Sequence, residues 1–256
     1  MADAIFLDCD GVVTDRHANV DKKVIFEAYR LAHSGKKIAF VSGRSLDWLL
    51  RNIVPEIERL SPSQAEKARF FLVGECGNRW ATFSTGGISS GSDDSHSVSD
   101  AARFLIRNEI PRFPYLFFDE TKESFVSLEV RHNRLISADA EREAQKQLDE
   151  ARSFFSAKFP QLSAVRTLYA VDLMKKGVGK ASAARRALEL MGNAGSALVI
   201  GDSEIDLEMG EELMGKGVLF EYYHVGEQEL SETRFKIRKS ASPYAEGTLE
   251  ILRGAR

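Results

Sequence analysis

Three short apolar runs, each followed at once by polar residues, constrain the fold of this chain more than any other feature of its sequence. The runs cover residues 4–7, 38–41 and 197–200. Continuous rather than alternating apolar character is typical of parallel strands that are covered on both faces. Residues 24–32, after the first run, carry apolar side chains at helical spacing. The pattern predicts an α/β fold built on a doubly wound, Rossmann-like parallel sheet. Further helices are predicted from about Ser45 and over residues 180–191 and 204–214.

Residues between the second and third runs show a different pattern, which predicts an inserted second domain of the α+β type. Residues 125–130 alternate between apolar and polar side chains, so one face of that strand is packed and the other is free. Helical stretches at residues 99–108 and 138–158 would cover the packed face, and the free face would close over a ligand. The Ser-, Gly- and Asp-rich residues 84–99 are expected to form a loop or hairpin tip. The predicted domains are a core of residues 1–80 and 170–256 and a cap of residues 81–169.

The polar residues that follow the three runs are expected to meet, because ligands bind beyond the carboxyl ends of the strands in such sheets. Asp8 and Asp10 end the first run and are followed by Gly11, which allows a tight turn. Carboxylates at positions i and i+2 can hold a hard cation, or can divide the roles of nucleophile and acid/base catalyst. A solvated acidic turn is the alternative for this pair taken alone.

The second and third runs add groups that suit a phosphate and a cation. Ser42, Gly43 and Arg44 offer a hydroxyl, a flexible backbone N–H and a positive charge, although a plain strand-to-helix turn has the same composition. Lys180 opens a predicted helix and can neutralise a phosphoryl oxygen. Asp202 and Asp206 lie at the junction after the third run, where simple N-capping of a helix is the alternative role.

Taken together, these motifs resemble the haloacid dehalogenase superfamily of phosphohydrolases. The resemblance rests on four segments in order: residues 8–15 (DCDGVVTD), residues 41–44 (VSGR), Lys180, and residues 201–206 (GDSEID). The insertion is similar to the large α/β cap of the subgroup that includes sucrose-phosphate phosphatase, mannosyl-3-phosphoglycerate phosphatase, archaeal phosphoglycolate phosphatase and the Cof-type sugar phosphatases. Residues 74–78 (GECGN) are similar to a segment that often precedes that cap. Ile205 stands where many relatives carry asparagine.

The resemblance implies a role for each of these residues. Asp8 would be the nucleophile that becomes an aspartyl phosphate, and Asp10 the general acid and base. Magnesium would be held by Asp8, by the carbonyl of Asp10 and by Asp202. The further implied roles are phosphate binding by Ser42, Gly43 and Lys180, support of Lys180 and the metal by Asp206 and Ser203, and contact with the rest of the substrate by Arg44 and residues 125–130.

The function expected from these assignments is a magnesium-dependent phosphatase for a small phosphorylated metabolite, such as a sugar phosphate or a phosphoglycolate-like ester. Two alternatives remain at this point. A phosphomutase would use the same aspartyl phosphate, and a non-catalytic regulator would only bind a phosphorylated ligand. A thiol nucleophile at Cys9 is disfavoured, since strand alternation turns it away from both aspartates.

The composition gives no argument for a nucleic-acid or membrane partner. The 256 residues are 43% hydrophobic and 29% charged, and their net charge of −3 is spread without long blocks of one sign. No apolar stretch approaches the roughly 18 residues that a membrane helix needs. Two cysteines cannot build a disulfide framework, so a cytoplasmic location is expected. A dinucleotide-binding enzyme would need a Gly-x-Gly-x-x-Gly segment where Asp8–Gly11 stands.

Overall fold

The structure of the protein, a computed structural model, describes residues 2–15 and 19–255. Its elements are numbered along the chain. The strands are β1 (Ala4–Asp8), β2 (Lys37–Val41), β3 (Phe70–Gly74), β4 (Arg79–Ser84), β5 (Gly87–Ser92), β6 (Leu116–Phe118), β7 (Val126–Val130), β8 (Leu162–Arg166), β9 (Ala170–Lys175), β10 (Ser196–Gly201), β11 (Leu219–His224) and β12 (Ile237–Lys239). The helices are α1 (Lys22–His33), α2 (Leu46–Asn52), α3 (Val54–Arg59), α4 (Gln64–Lys67), α5 (Asp100–Glu109), α6 (Ala138–Lys158), α7 (Lys180–Met191), α8 (Leu207–Gly215) and α9 (Tyr244–Gly254).

The chain divides into two compact units. Unit 1 comprises Met1–Ser92 with Gly179–Arg256, and unit 2 comprises Asp93–Val178. The predicted boundaries at residues 81 and 169 therefore differ from those of the structure. β4 and β5 form a hairpin that pairs with β3 and extends the sheet of unit 1 to Ser92, whereas β9 pairs with β7 and β8 and keeps the chain in unit 2 to Val178.

Unit 1 contains the predicted doubly wound sheet, with strand order β12-β11-β10-β1-β2-β3-β4-β5. The strands from β12 to β3 are parallel, and β4 and β5 are antiparallel. In β1, Ile5 and Leu7 pack on the face covered by α1, α2, α3 and α9, while Ala4 and Phe6 pack on the face covered by α7 and α8. Cover on both faces explains why the run is continuously apolar. The predicted fold class is thus confirmed.

Unit 2 is a four-stranded antiparallel sheet, in the order β6-β7-β9-β8, with α6 packed against it. Leu128 of β7 and Leu148 and Phe155 of α6 are fully buried. Because successive side chains of a strand point to opposite faces, Ser127 and Glu129 lie on the other face from Leu128. The alternation predicted for residues 125–130 therefore corresponds to a real strand with one face packed under a helix.

Several element boundaries follow from local chemistry. α7 and α6 occupy the predicted residues, and α6 begins where Ser137 Oγ accepts a hydrogen bond from the backbone N–H of Ala140 (3.2 Å). α8 begins at Leu207 rather than at residue 204, because Glu204–Asp206 form a separate 3₁₀ turn. The residues expected to form a loop or hairpin tip at 84–99 contain the turn of the β4–β5 hairpin, β5 itself and a short 3₁₀ turn, Asp94–His96. Among the described residues, no helix is long and apolar enough to cross a membrane.

Candidate active site

The candidate active site begins at Asp8, the last residue of β1, which lies between β10 and β2. The side chain of Asp8 is buried, whereas that of Asp10 is about half exposed (50%). The chain then turns tightly, with the Cys9 carbonyl accepting hydrogen bonds from the backbone of the next turn. Gly11 has φ +70°, and a methyl group on it would overlap with the carboxylate of Asp202. Glycine at this position therefore allows Asp202 to approach the end of β1.

Lys180, the first residue of α7, lies between two buried aspartates. Its Nζ contacts Asp8 Oδ1 and lies 2.8 Å from Asp206 Oδ1, and it also donates to the Val41 carbonyl (3.4 Å). Only 8% of Lys180 is exposed. Burial alone would lower the pKa of Lys180, but the charges of Asp206 and Asp8 raise it well above its usual value. The ammonium group is therefore a fixed positive charge beside Asp8.

Asp206 holds the segment that carries Asp202. Its Oδ2 accepts hydrogen bonds from the backbone N–H groups of Asp202 (3.1 Å) and Ser203 (3.0 Å) and from Ser203 Oγ (2.8 Å). Burial would raise the pKa of Asp206, but Lys180 and these donors lower it below its usual value. An ionised Asp206 thus links Lys180 to the loop that carries Asp202. The structure brings together Asp206 and Lys180, as well as Asp206 and Ser203.

Three carboxylates form one cluster at this end of the sheet. Asp8, Asp202 and Asp206 offer oxygen atoms that all lie within 4.8 Å of one another. Burial, followed by the charge of Asp206, raises the pKa of Asp8 to about 7 even though Lys180 opposes the shift. Burial and the charge of Asp8 raise the pKa of Asp202 to about 9. A single ammonium group therefore does not balance the negative charge that these residues carry when all are ionised.

The cluster fits a divalent cation that prefers oxygen ligands. Hard cations such as Mg²⁺ bind carboxylate and carbonyl oxygens, and a bound cation lowers the pKa of the carboxylates that hold it. Asp8 and Asp202 are the carboxylates with raised pKa values, so they are the two that a cation would relieve most. The carboxylate of Asp10 accepts hydrogen bonds from the Arg44 guanidinium. Its backbone carbonyl is therefore the group left for the ligand role that the resemblance implies.

The turn after β2 places Ser42, Gly43 and Arg44 beside this cluster. Ser42 is fully buried, and its Oγ accepts a hydrogen bond from the Arg44 backbone N–H (3.0 Å). A methyl group on Gly43 would make only an ordinary contact, 3.8 Å from Cys76 Sγ, so packing does not require glycine there. The Arg44 guanidinium forms hydrogen bonds with both carboxylate oxygens of Asp10. The sequence did not indicate this ion pair.

The segment 74–78 supports the site in a way that the sequence alone did not reveal. Glu75, Cys76 and Gly77 have φ values of 47°, 55° and 98°, a run of left-handed conformations inside the protein. The Cys76 carbonyl accepts a hydrogen bond from Ser182 Oγ of α7 (2.8 Å), and the Cys76 N–H donates to the Ser42 carbonyl (3.0 Å). The segment therefore connects the turn after β2 to the helix of Lys180.

A second supporting segment follows β11. A methyl group on Gly226 would overlap with the Asp202 carbonyl, and Gln228 Nε2 donates to that carbonyl at 3.4 Å. His224 is buried, and burial lowers its pKa. Tyr222 is also buried, and a methyl group on Gly201 would lie 2.5 Å from its hydroxyl. The aromatic and apolar residues 219–224 could have been recognised as a strand, but their position beside β10 depends on long-range pairing.

Cys9 does not have the properties of a nucleophile. It is fully buried, and burial followed by the charges of Asp8 and Asp10 raises the pKa of its thiol. A thiol with a raised pKa remains protonated and unreactive. A thiol nucleophile at Cys9 is therefore disfavoured, and the role of Asp8 stays a prediction.

Unit 2 contains a polar cluster of its own. Lys122 is largely buried, and its Nζ lies 3.7 Å from a carboxylate oxygen of Glu129 and 3.7 Å from one of Asp172. Ser127 and Asp172 are paired across β7 and β9 and therefore share a face of the sheet. Among the described residues, the buried Ser127 Oγ has no hydrogen-bond partner. Such groups are suited to bind a ligand that carries hydroxyls.

Comparisons with known proteins identify one family model that matches part of the chain and solved structures that share its fold. A family model described as haloacid dehalogenase-like hydrolase matches residues 94–219, which include Lys180, Asp202 and Asp206. A search of curated proteins found no significant match. Among the solved structures that match nearly the whole chain are the following three. A Thermoplasma acidophilum protein has 18% sequence identity and a TM-score of 0.66, and the match covers 99% of this chain and 98% of that chain. A haloacid dehalogenase-like hydrolase from Bacteroides thetaiotaomicron has 12% identity and a TM-score of 0.69, and the match covers 100% of both chains. The C-terminal domain of C. albicans trehalose-6-phosphate phosphatase has 15% identity and a TM-score of 0.70, and the match covers 97% of this chain and 90% of that chain.

Proposed function

Since this chain belongs to the haloacid dehalogenase superfamily and is a hydrolase, we propose that it is a magnesium-dependent phosphatase that acts through an aspartyl phosphate on Asp8. One observation carries the proposal: a buried carboxylate at the end of the central strand, in contact with Lys180 and grouped with Asp202. A nucleophile, a fixed positive charge and a cation-binding carboxylate together are what phosphoryl transfer to a side chain requires.

In the first half of the proposed reaction, a carboxylate oxygen of Asp8 attacks phosphorus. The bond between phosphorus and the ester oxygen breaks on the opposite side, and the leaving oxygen takes a proton from Asp10. Lys180 neutralises negative charge on the phosphoryl oxygens, and the backbone and hydroxyl groups of Ser42 and Gly43 bind those oxygens. The products of this half are the free alcohol and an aspartyl phosphate.

In the second half, water attacks the same phosphorus while Asp10, now a carboxylate, accepts its proton. The bond between Asp8 and phosphorus breaks, which restores the carboxylate and releases inorganic phosphate. Asp8, Asp202 and the Asp10 carbonyl would hold Mg²⁺, which supplies positive charge that lowers the repulsion between Asp8 and the phosphoryl group. Asp206 keeps Lys180 and the backbone of Asp202 in place throughout, as its hydrogen bonds indicate.

We further propose that the substrate is a small polar ester and that unit 2 supplies the groups that recognise the part beyond the phosphate. The polar cluster of Lys122, Ser127, Glu129 and Asp172 supports this substrate class. A similar structure is named as a trehalose-6-phosphate phosphatase, which supports a sugar phosphate. A cytoplasmic location is part of the proposal, and it is supported by a content of two cysteines, which is too low for a disulfide framework.

Removal of the metal tests the proposal directly. We expect the protein to hydrolyse 4-nitrophenyl phosphate with Mg²⁺, and the rate to fall by at least about 100-fold in EDTA, because the charge on the phosphoryl oxygens is then poorly balanced. Excess Mg²⁺ should restore the rate, which controls for irreversible damage by the chelator. Full activity in EDTA would contradict the magnesium dependence, and no activity with Mg²⁺ on any ester would contradict the phosphatase proposal.

Lys122→Met tests the role of unit 2 in substrate recognition. We expect kcat/KM for hexose phosphates to fall by about 10-fold or more, because a hydrogen bond to a charged group contributes about 1.5–3 kcal/mol. The kcat/KM for 4-nitrophenyl phosphate should change by less than about 3-fold, since that ester has no hydroxyls to bind. Lys146→Met, which removes an exposed lysine of α6 that also pairs with carboxylates, is the matched control. Equal losses on both esters would contradict a role in recognition.

A further inference from the structure

We infer that Arg44 is a positioning residue that holds the carboxylate of Asp10 in place for proton transfer. The inference rests on the proposed function, in which Asp10 is the acid and base. Arg44 Nε lies 2.9 Å from Asp10 Oδ1 and 3.0 Å from Oδ2, and Arg44 Nη2 lies 2.6 Å from Oδ1. Contacts to both oxygens fix the plane of the carboxylate as well as its distance. The sequence pattern alone suggests instead that Arg44 contacts the substrate.

Asp10 needs such a partner because its own surroundings do not fix it. Half of its side chain is exposed, whereas Asp8, two residues earlier, is buried among charged groups. A carboxylate that transfers a proton must lie within hydrogen-bond reach of the reacting oxygen, and small errors in its position reduce the rate strongly. An exposed aspartate would otherwise sample several rotamers. The fork of Arg44 selects one of them.

Arg44 is itself held at three points, which suits it to position another residue. Its backbone N–H donates to Ser42 Oγ (3.0 Å), and its carbonyl accepts from the Glu75 N–H (2.8 Å). Its guanidinium carbon lies 4.3 Å from the centre of the Trp48 ring. Trp48 in turn donates its backbone N–H to Ser45 Oγ, the N-cap of α2 (3.2 Å). The left-handed residues 75–77 and the first turn of α2 therefore fix the arginine from two sides.

The experiment compares two aryl phosphates of similar size whose leaving groups differ in acidity. Phenol is a poor leaving group that needs a proton from Asp10, whereas 4-nitrophenol leaves readily as the anion. The kcat/KM value reports formation of the aspartyl phosphate, the step in which Asp10 acts as the acid. We expect Arg44→Ala to lower kcat/KM for phenyl phosphate by about 30-fold or more and for 4-nitrophenyl phosphate by less than about 5-fold.

Further variants separate positioning from other roles. Asp10→Asn should show the same dependence on the leaving group, and the double variant Arg44→Ala/Asp10→Asn should be no worse than Asp10→Asn alone. Arg44→Lys should recover part of the loss, because a lysine keeps the charge but not the fork. Arg51→Ala is the matched control, since Arg51 of the neighbouring helix α2 likewise pairs with an aspartate, Asp47, on the exposed surface. It should leave both rates unchanged.

Three results would overturn the inference. Equal losses of kcat/KM for both esters would indicate a general structural role of Arg44. A rise in KM alone would indicate that Arg44 contacts the substrate directly. Additive effects of Arg44→Ala and Asp10→Asn in the double variant would show that Arg44 does not act through Asp10. Failure of the proposed function has a different signature, namely a wild-type protein that hydrolyses neither ester. The inference falls with it in that case.

Discussion

Asp8→Asn is expected to abolish phosphatase activity while making the metal-free protein more stable. Asparagine has nearly the shape of aspartate but cannot attack phosphorus as an anion, so the rate should fall by at least about 10⁴-fold, as for other catalytic nucleophiles. The two effects have opposite signs because the same carboxylate is required for the reaction and is poorly accommodated by the fold. Asp8 is buried beside Asp206 and Asp202, and Lys180 is the buried cation in contact with it.

The stability change should depend on pH in a defined direction. Burial, followed by the charge of Asp206, raises the pKa of Asp8 from 3.8 to about 7. Below the lower value Asp8 is protonated in the folded and unfolded protein alike. As pH rises between the two values, ionisation favours the unfolded chain, so the wild type loses stability that the variant keeps. The advantage of Asp8→Asn should therefore grow from about pH 4 to pH 7, level off above that, and reach on the order of a few kcal/mol.

Urea unfolding in EDTA at several pH values measures this difference, and phosphate release with Mg²⁺ measures the activity. Asp139→Asn, which changes an exposed aspartate of α6, controls for the loss of one negative charge. Mg²⁺ should stabilise the wild type more than Asp8→Asn, because one ligand is weakened in the variant. Activity retained in Asp8→Asn would rule out Asp8 as the nucleophile. A pH-independent difference in stability would rule out ionisation of the buried Asp8 carboxylate as the cause of that difference.

The order of motifs along the chain predicted the part of the site that lies at strand ends. Continuous apolar runs identified β1, β2 and β10, and parallel strands necessarily bring Asp8, Ser42 and Asp202 to one edge of the sheet. The extent of α7 was also predicted correctly, from local pattern: the helix begins at Lys180 and ends at Met191, and the next residue, Gly192, caps it in a left-handed conformation. Local pattern and topology are sufficient for these features.

Contacts between distant residues could not be predicted in the same way. The Arg44–Asp10 ion pair joins two turns through side-chain rotamers, which no spacing encodes. Neither β3 nor β11 was predicted as a strand of this sheet, because their places beside β2 and β10 depend on pairing between segments that are separated along the chain by at least one helix. The unit boundary was misplaced because the hairpin β4–β5 alternates like a strand of unit 2 yet pairs with β3.

Lys180→Met should cause the largest combined loss of stability and activity. The ammonium group of Lys180 contacts Asp8 and lies 2.8 Å from Asp206, and the pKa of Lys180 is raised well above its usual value by these charges in spite of burial. Removal of one partner from a buried ion pair leaves an uncompensated charge, which lowers the free energy of unfolding by about 3–5 kcal/mol. Activity should fall by about 10³-fold or more, because the charge on the phosphoryl oxygens is no longer neutralised.

A second change separates the two losses. Asp206→Asn in the Lys180→Met background removes the more deeply buried of the two carboxylates that lose their ammonium partner. The asparagine oxygen can still accept hydrogen bonds from the backbone N–H groups of Asp202 and Ser203. We therefore expect the double variant to regain much of the stability of the wild type and to remain inactive. Urea unfolding and phosphate release measure the two properties, with Lys37→Met, which removes a lysine bound to the Met191 carbonyl, as the control.

The outcomes of this pair of variants bear on different parts of the site. If Lys180→Met keeps the wild-type rate, Lys180 does not act on the phosphoryl oxygens and its charge serves the fold alone. If the double variant is no more stable than Lys180→Met, uncompensated charge is not the source of the loss, and packing of the lysine stem against its neighbours must account for it. Recovery of stability without recovery of rate would instead mean that the fold can dispense with this charge pair and that the reaction cannot.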